Sequence, residues 1–562
     1  MSYKSISIRE AVNNINITWF LPNTQRPYVW GERHQKERFI CKLFDSLLRR
    51  YPIGALLVWP TKKPIPYRNF LNDFDSENLT KITPEGTWGK KDKCLLYDGQ
   101  QRLQSLYSCL KYTFHGKVLY FNLLFNADSC DRNDEEMGFK LLKPKENTAP
   151  EYLDMIELFA CLPKEEPEFE ERVLGRLEDF SKEDIIIVKK NLKTLWNTFV
   201  EKEIKLLAYY EIDEEVLNEK DVNDIFVRLN TTGISLSNSD ILFSQIKRFV
   251  FNFEEKVWNT SKKIKAQTQG YSFSPDNILQ TIFLIKQGTV RVDRDKIKDD
   301  ELKDFDNIWS ELEGPLKSFF YDFLFGLFRI NDRRIIPQNR LLLPLISYFY
   351  YVKKNYNLKF KNYSGRSLSD LKKYFIISQF RDWNLQAYID NFHRIIHEET
   401  QTNPSFPLKK IINFVKDDGR RETQLDSDCL CCFHEWFSLK ILTPERPYSF
   451  DKDASRFDPE IDHIFPQAPP NKDKYPKKYF KWVVQLWNLQ PVKGEINNLK
   501  RNTPPKQFFE QYPQFMNYYD HLPSTNINNQ LWLDQKAPEF IKKRMEKMIR
   551  FMRSEYGLKV KY

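Results

Sequence analysis

The chain has 562 residues, 41% of them apolar and 15% aromatic, with 17 glycines. That composition excludes a disordered or collagen-like chain and predicts several domains, each able to bury its own core. Net charge is +10, and residues 463–562 carry 18 Lys and Arg against 8 Asp and Glu, so the excess cation falls in the last stretch of the chain, as phosphate-backbone binding requires. A solvated basic surface would read the same way.

No apolar run approaches the ~18 residues of a membrane span. The longest, Leu341–Val352, contains Pro344 and Ser347 and ends at Lys353 and Lys354. The N-terminal MSYKSISIRE lacks an apolar signal core, and the eight cysteines are sparse for the length. The expectation is a cytoplasmic protein with no membrane segment, disulfide framework or zinc ribbon.

In chain order, Ser5–Phe20 carries β-type patches, and Phe39, Ile40, Leu43, Phe44, Leu47 and Leu48 recur at helical spacing before Pro52–Gly54. Ile53–Trp59 reads as a buried strand, and residues 61–92 as a polar loop or insertion. Cys94–Tyr97 is a further strand. It runs into Asp98-Gly99-Gln100-Gln101-Arg102 and then Leu103, Leu106, Tyr107 and Leu110, a strand–tight turn–helix arrangement. Lys117–Phe125 reads as the next strand, and 126–220 as charged and largely helical. Val222–Lys247 reads as helix, turn and capped helix, with Ser237, Asn238 or Ser239 as N-cap. Aromatic-rich helical segments fill 250–445. After Pro444 the texture turns to Pro, Asp and Lys, ending in a helix at 538–556.

The strongest chemical pattern runs from Ile461 to Arg501: IDHIFPQ, then WNLQPVKGEINNLKRN. Cutting a phosphodiester needs a hard cation held by oxygen ligands and a base that activates water. Asp462 and the amide oxygen of Asn497 suit Mg²⁺ or Mn²⁺, with Asn498 as the alternative to Asn497. His463 suits the base, and Asn488 could hold its imidazole by a hydrogen bond. These residues, with Asn488 25 residues after His463 and Asn497 9 later, resemble the HNH, or His-Me finger, nucleases, although Asn497 stands where the name-giving pattern has His. The resemblance implies a ββα-metal unit with Asp-His ending the first strand.

The second pattern is Asp98–Arg102. Gly99 allows a tight turn, the helix start that follows favours an anion, and Arg102 can grip phosphate. Asp98 could hold a metal or polarise water, and Gln100 or Gln101 could orient it. With Gln25-Arg26-Pro27-Tyr28-Val29-Trp30, Tyr51–Gly54 and Phe226–Gly233, this resembles the DGQQR domain of GmrS type, similar to ParB and sulfiredoxin-like nucleotide domains. The resemblance implies a nucleoside triphosphate held by Asp98, Gly99, Gln100, Gln101 and Arg102, with Arg26, Tyr28, Arg228 and Asn230 lining the cleft. Arg228 and Asn230 read equally as turn-stabilising residues. No G-x-x-x-x-G-K-[ST] is present, so any hydrolysis is not P-loop chemistry.

The order of the two patterns resembles the fused GmrSD-type restriction endonucleases. The implied protein is α+β and multidomain. It has a ParB/sulfiredoxin-like domain at 1–250, a mostly helical connector at 251–445 and an HNH domain with flanking helices at 446–562. The implied activity is NTP-regulated, metal-dependent cleavage of foreign, modified double-stranded DNA in phage defence, with a homo-oligomer left open. An NTP-dependent nucleic-acid-binding regulator that does not cut, and an RNA-cutting toxin, are the alternatives. Cys429, Cys431, Cys432 and His434 read as a buried apolar stretch rather than a metal cluster, and His393 with His397 as a solvated helical pair beside Glu398.

Overall fold

The computed structural model describes residues 2–24, 34–63, 65–72, 93–126, 137–144, 149–213, 221–222, 225, 242–243, 245–247, 249–250, 252–291, 302–419, 424–426, 435–446, 459–470 and 475–561. The chain divides into two compact units, Met1–Glu254 and Glu255–Tyr562. Both are mixtures of helix and strand.

The first unit opens strand–helix–strand: β1 (Ser2–Ile6), α1 (Ile8–Asn14) and β2 (Trp19–Pro22). The helix stands between the β-type patches expected over Ser5–Phe20. Its cause is a capping box. The Ser7 hydroxyl accepts from the Glu10 N–H, and the Glu10 carboxylate accepts from the Ser7 N–H, which satisfies donors a helix start otherwise leaves open. Helix α2 (His34–Leu48) follows, then β3 (Leu56–Thr61), β4 (Tyr67–Arg68) and β5 (Lys93–Asp98). Helix α3 (Gln100–Lys111) leaves β5 at once.

Beyond it, β6 (Val118–Asn122), β7 (Phe139–Leu142) and β8 (Tyr152–Asp154) form an antiparallel sheet in the order β7-β6-β8. Three short strands, β7, β8 and β9 (Leu207–Glu211), interrupt the largely helical stretch 126–220. Helices α4 (Met155–Ala160), α5 (Glu166–Leu174) and α6 (Lys182–Phe199) supply the rest of that stretch.

The main sheet has the order β1-β9-β3-β5-β2-β4. It is buried on both faces, because alternate residues of its central strands enter different cores. Leu56, Val58 and Leu96 join the larger core, which includes α1, α2, α3 and α6, while Leu57, Trp59, Leu95 and Tyr97 join a smaller one. Asp98 thus leaves the sheet from its centre, between β3 and β2.

The second unit is mostly helical from α7 (Phe253–Gln267) through α8 (Pro275–Gln287), α9 (Phe305–Ser318), α10 (Leu343–Tyr356), α11 (Gly365–Phe380), α12 (Gln386–Glu399) and α13 (Leu408–Asp417). After the short β10 (Leu425–Asp426) comes α14 (Glu435–Leu442). An antiparallel hairpin follows, β11 (Pro459–His463) on β12 (Leu489–Lys493), with α15 (Lys477–Val483) between the strands. Then come α16 (Gly494–Lys500), α17 (Pro505–Gln511), α18 (Ala537–Tyr556) and β13 (Val560–Lys561), which pairs with β10. Lys372 of α11 binds Glu555 of α18, and the Tyr556 hydroxyl donates to the Ile441 carbonyl. Residues on both sides of the expected 445 boundary therefore share one unit. Among the described residues no helix is long and apolar enough to cross a membrane.

His393 corrects the solvated-pair reading. It is buried on α12, with Nε2 against the Tyr351 hydroxyl at 3.1 Å and no hydrogen-bond partner for Nδ1. Burial, aided by His397, lowers its pKa to about 3. A histidine depressed in the fold contributes stability above its unfolded pKa, near 6.5, and loses it as pH falls. At pH 5.5 the penalty is about 1.4 kcal/mol. Thermal unfolding at pH 7.5 and 5.5 should show His393→Gln losing less stability on acidification than the parent.

Candidate active site

In the second unit, β11 and α16 are matched by period. Glu460 and Asp462, two apart, share one face of the strand, and Asn497 and Lys500, three apart, share one face of the helix. The Asn497 amide donates to Glu460 Oε2 at 2.8 Å, and Lys500 Nζ donates to Asp462 Oδ1 at 2.9 Å. Gly494 lets the helix start close in, since a Cβ there would lie 3.0 Å from Glu460 Oε1.

Asp462 is 2% exposed and Lys500 fully buried. Lys500 also donates to the His463 carbonyl at 2.7 Å, and the Tyr519 hydroxyl donates to Asp462 Oδ2 at 2.8 Å. Each carboxylate oxygen keeps a second acceptor site. Behind them Arg544 of α18, also fully buried, donates to the Trp487 and Leu489 carbonyls and to Gln490. Gln490 and Arg446 both bind Asp520, beside Tyr519.

His463 ends β11 half-buried, and its side chain makes no hydrogen bond among the described residues. Burial lowers its pKa; Asp462 opposes the shift and Lys500 adds to it. The imidazole is therefore neutral, and able to accept a proton, at neutral pH.

Asn488 does not bind that imidazole. Its amide is spent on backbone, accepting from the Phe465 N–H at 3.0 Å and donating to the Phe465 and Val483 carbonyls at 2.8 Å. It reaches His463 only by fixing the chain that leaves β11. Asn498 is exposed and points its backbone, not its amide, at Arg501.

Oxygen ligands for a hard cation are present. With its nitrogen held by Glu460, the Asn497 amide oxygen accepts no hydrogen bond among the described residues. No three His, Cys, Asp or Glu side chains gather there or elsewhere among those residues.

In the first unit, Gly99 (φ +94°) turns the chain from Asp98 into α3 and leaves that helix without a side-chain cap. Its first N–H groups can therefore face an anion. Arg102 is committed to the turn itself. It donates to the carbonyls of Ile53 at 2.8 Å, Gly54 at 2.6 Å and Ala55 at 3.2 Å, and to Asp98 Oδ2 at 3.0 Å. Its guanidinium acts here on the chain's own oxygens, leaving Nε for any other partner. Gln100 is buried and Gln101 half-buried beside it. Arg26, Tyr28, Arg228 and Asn230 lie outside the described residues, as do Cys429, Cys431, Cys432 and His434.

Residues 8–247 match the N-terminal domain of the GmrSD restriction endonucleases, and residues 420–551 match the C-terminal domain. The two matches are in the family's order and together cover about two thirds of the chain. The chain belongs to the GmrSD restriction endonucleases. As a GmrSD protein it is a nuclease whose substrate is DNA. No curated protein matches the chain.

The residues that sequence reasoning missed in this GmrSD chain are Glu460, Lys500, Tyr519 and Arg544. The first two had a signal in the strand and helix periods; the other two are brought in from afar by the fold.

A methyl at Gly99 would lie 2.2 Å from Leu56 Cδ2, whereas Gly116, also at positive φ, meets nothing within 4 Å. Gly116→Ala should cost about 1 kcal/mol from backbone strain alone, and Gly99→Ala at least twice that. Comparing the two melting temperatures checks this.

Proposed function

We propose that this protein is a metal-dependent endonuclease that cuts foreign, modified double-stranded DNA in the cytoplasm under the control of a nucleoside triphosphate. The observation that carries the reading is the end of β11. A neutral His463 stands beside Asp462, and α16 brings an unengaged Asn497 oxygen to the same strand.

Asp462 and Asn497 would hold Mg²⁺ or Mn²⁺, an oxygen set of the kind those ions prefer. When bound, the ion supplies Lewis-acid stabilisation of the phosphate charge. His463 takes the proton from the attacking water through its free imidazole nitrogen. Asn488 fixes the backbone just past His463, and Glu460 keeps the Asn497 oxygen, rather than its nitrogen, toward the site. Lys500 holds Asp462 and the His463 carbonyl together. The hairpin and its following helix α16 suit the ββα-metal unit of HNH nucleases, and the basic residues of α18 would give the duplex a cationic partner.

In the first unit the uncapped start of α3 is the place assigned to the triphosphate, its backbone N–H groups facing phosphate oxygens. Arg102 supports that turn by tying Ile53–Ala55 to Asp98. The strand–turn–helix core suits a ParB/sulfiredoxin-like domain.

His463→Ala should lower nicking of a modified plasmid by at least about a hundredfold, the lower range for loss of a general base. DNA affinity measured by anisotropy should stay within twofold of the parent. Nicking that survives the substitution contradicts the assignment.

Asn497→Ala should weaken Mn²⁺ binding, read by electron paramagnetic resonance of the free ion, while Asn498→Ala leaves it unchanged. Equal effects from the two would remove Asn497 from the ligand set.

A further inference from the structure

The helical part of the second unit contains a half-open pocket of about 390 Å³, within the range of small-ligand sites. One wall is the end of α9 and the segment Phe319–Phe325, where the helix widens to the π form, a feature often found at functional sites. The other wall is α10 and the turn after it, which ends in the short 3₁₀ segment Phe360–Asn362.

Phe349 and Phe360 stack there, with centroids 5.8 Å apart and planes 16° apart, and Tyr363 leans on both. The Tyr363 hydroxyl has no hydrogen-bond partner among the described residues, and burial holds its pKa above the usual value, so it remains a donor. Asp322 brings an exposed carboxylate that accepts from the Ser318 hydroxyl. On the rim, Lys359 and Lys361 are exposed and make no ion pair among the described residues, while Lys353 binds Asn357. Gly314 opens the mouth, since a Cβ there would meet nothing within 4 Å.

A mostly apolar, aromatic wall with the Tyr363 hydroxyl and the Asp322 carboxylate at its edge and a cationic rim fits a planar, hydrogen-bonding group attached to phosphate better than an acyl chain or a free anion. The carboxylate suits an exocyclic amino group, such as N4 of cytosine or N6 of adenine. We propose that this pocket receives a nucleobase turned out of the DNA duplex, with the flanking phosphates on Lys359 and Lys361. The unstacking that extrusion costs is offset by stacking on aromatic rings and by hydrogen bonds to the base edge. The inference rests on the DNA-cutting reading and adds where that DNA is inspected.

The test uses the full chain carrying His463→Ala and duplexes with 2-aminopurine beside a cytosine that is unmodified, hydroxymethylated or glucosylated. Extrusion unstacks the probe and raises its fluorescence. The expected result is a severalfold rise with at least one duplex, abolished by Gly314→Phe, which fills the mouth. Lys359→Glu with Lys361→Glu, both exposed, should weaken that duplex about tenfold at unchanged melting temperature. No rise with any duplex, or a rise that Gly314→Phe leaves intact, overturns the proposal. Nicking of the same duplexes, followed on gels for parent and His463→Ala chains, tests the catalytic reading separately: persistence in the variant defeats that reading, whatever the fluorescence shows.

Discussion

The second unit depends on one buried charge pair. Lys500 and Asp462 lie almost entirely out of water, and neither charge is tolerable there without the other. Their attraction fixes α16 against β11. That in turn sets Asn497 over Glu460 and ties the lysine to the His463 carbonyl. Tyr519 binds the other carboxylate oxygen, and Arg544 fastens β12 from behind. The candidate site therefore stands on strand and helix with buried supports, which favours a geometry held before the substrate arrives.

The first unit uses charge in a similar way. Arg102, a residue type suited to phosphate, instead gathers three consecutive carbonyls and Asp98. A carbonyl-rich turn with positive-φ Gly54 and Gly99 close around it has no room for a bulkier arrangement. What this leaves for a ligand is the open helix start, a backbone site rather than a side-chain one.

How much of this was legible in the chain follows from the range of the interactions. That Asp462 and His463 end a strand packed against the helix carrying Asn497 was legible because the hairpin–helix unit is short enough to keep its spacing. The strands β3, β5 and β6 were legible as apolar runs between turn residues. Helix α1 was hidden because Ser7 and Glu10 act as a cap only when read together, among residues of β propensity. Asn488 was assigned to the imidazole because an amide near a histidine suggests that bond; the fold places its partners on the backbone of Phe465 and Val483 instead. Tyr519 and Arg544 lie 57 and 82 residues beyond Asp462, and no local period announces a partner at such distance.

The most direct test is a double-mutant cycle on the buried pair, read as unfolding free energy of the full chain. Lys500→Met alone should cost about 3–5 kcal/mol, because it leaves a buried carboxylate uncompensated, and Asp462→Leu alone should cost a similar amount. The double substitution should cost less than either single one. Additive losses, or single losses below about 1 kcal/mol, would show that the pair does not hold the hairpin to its helix.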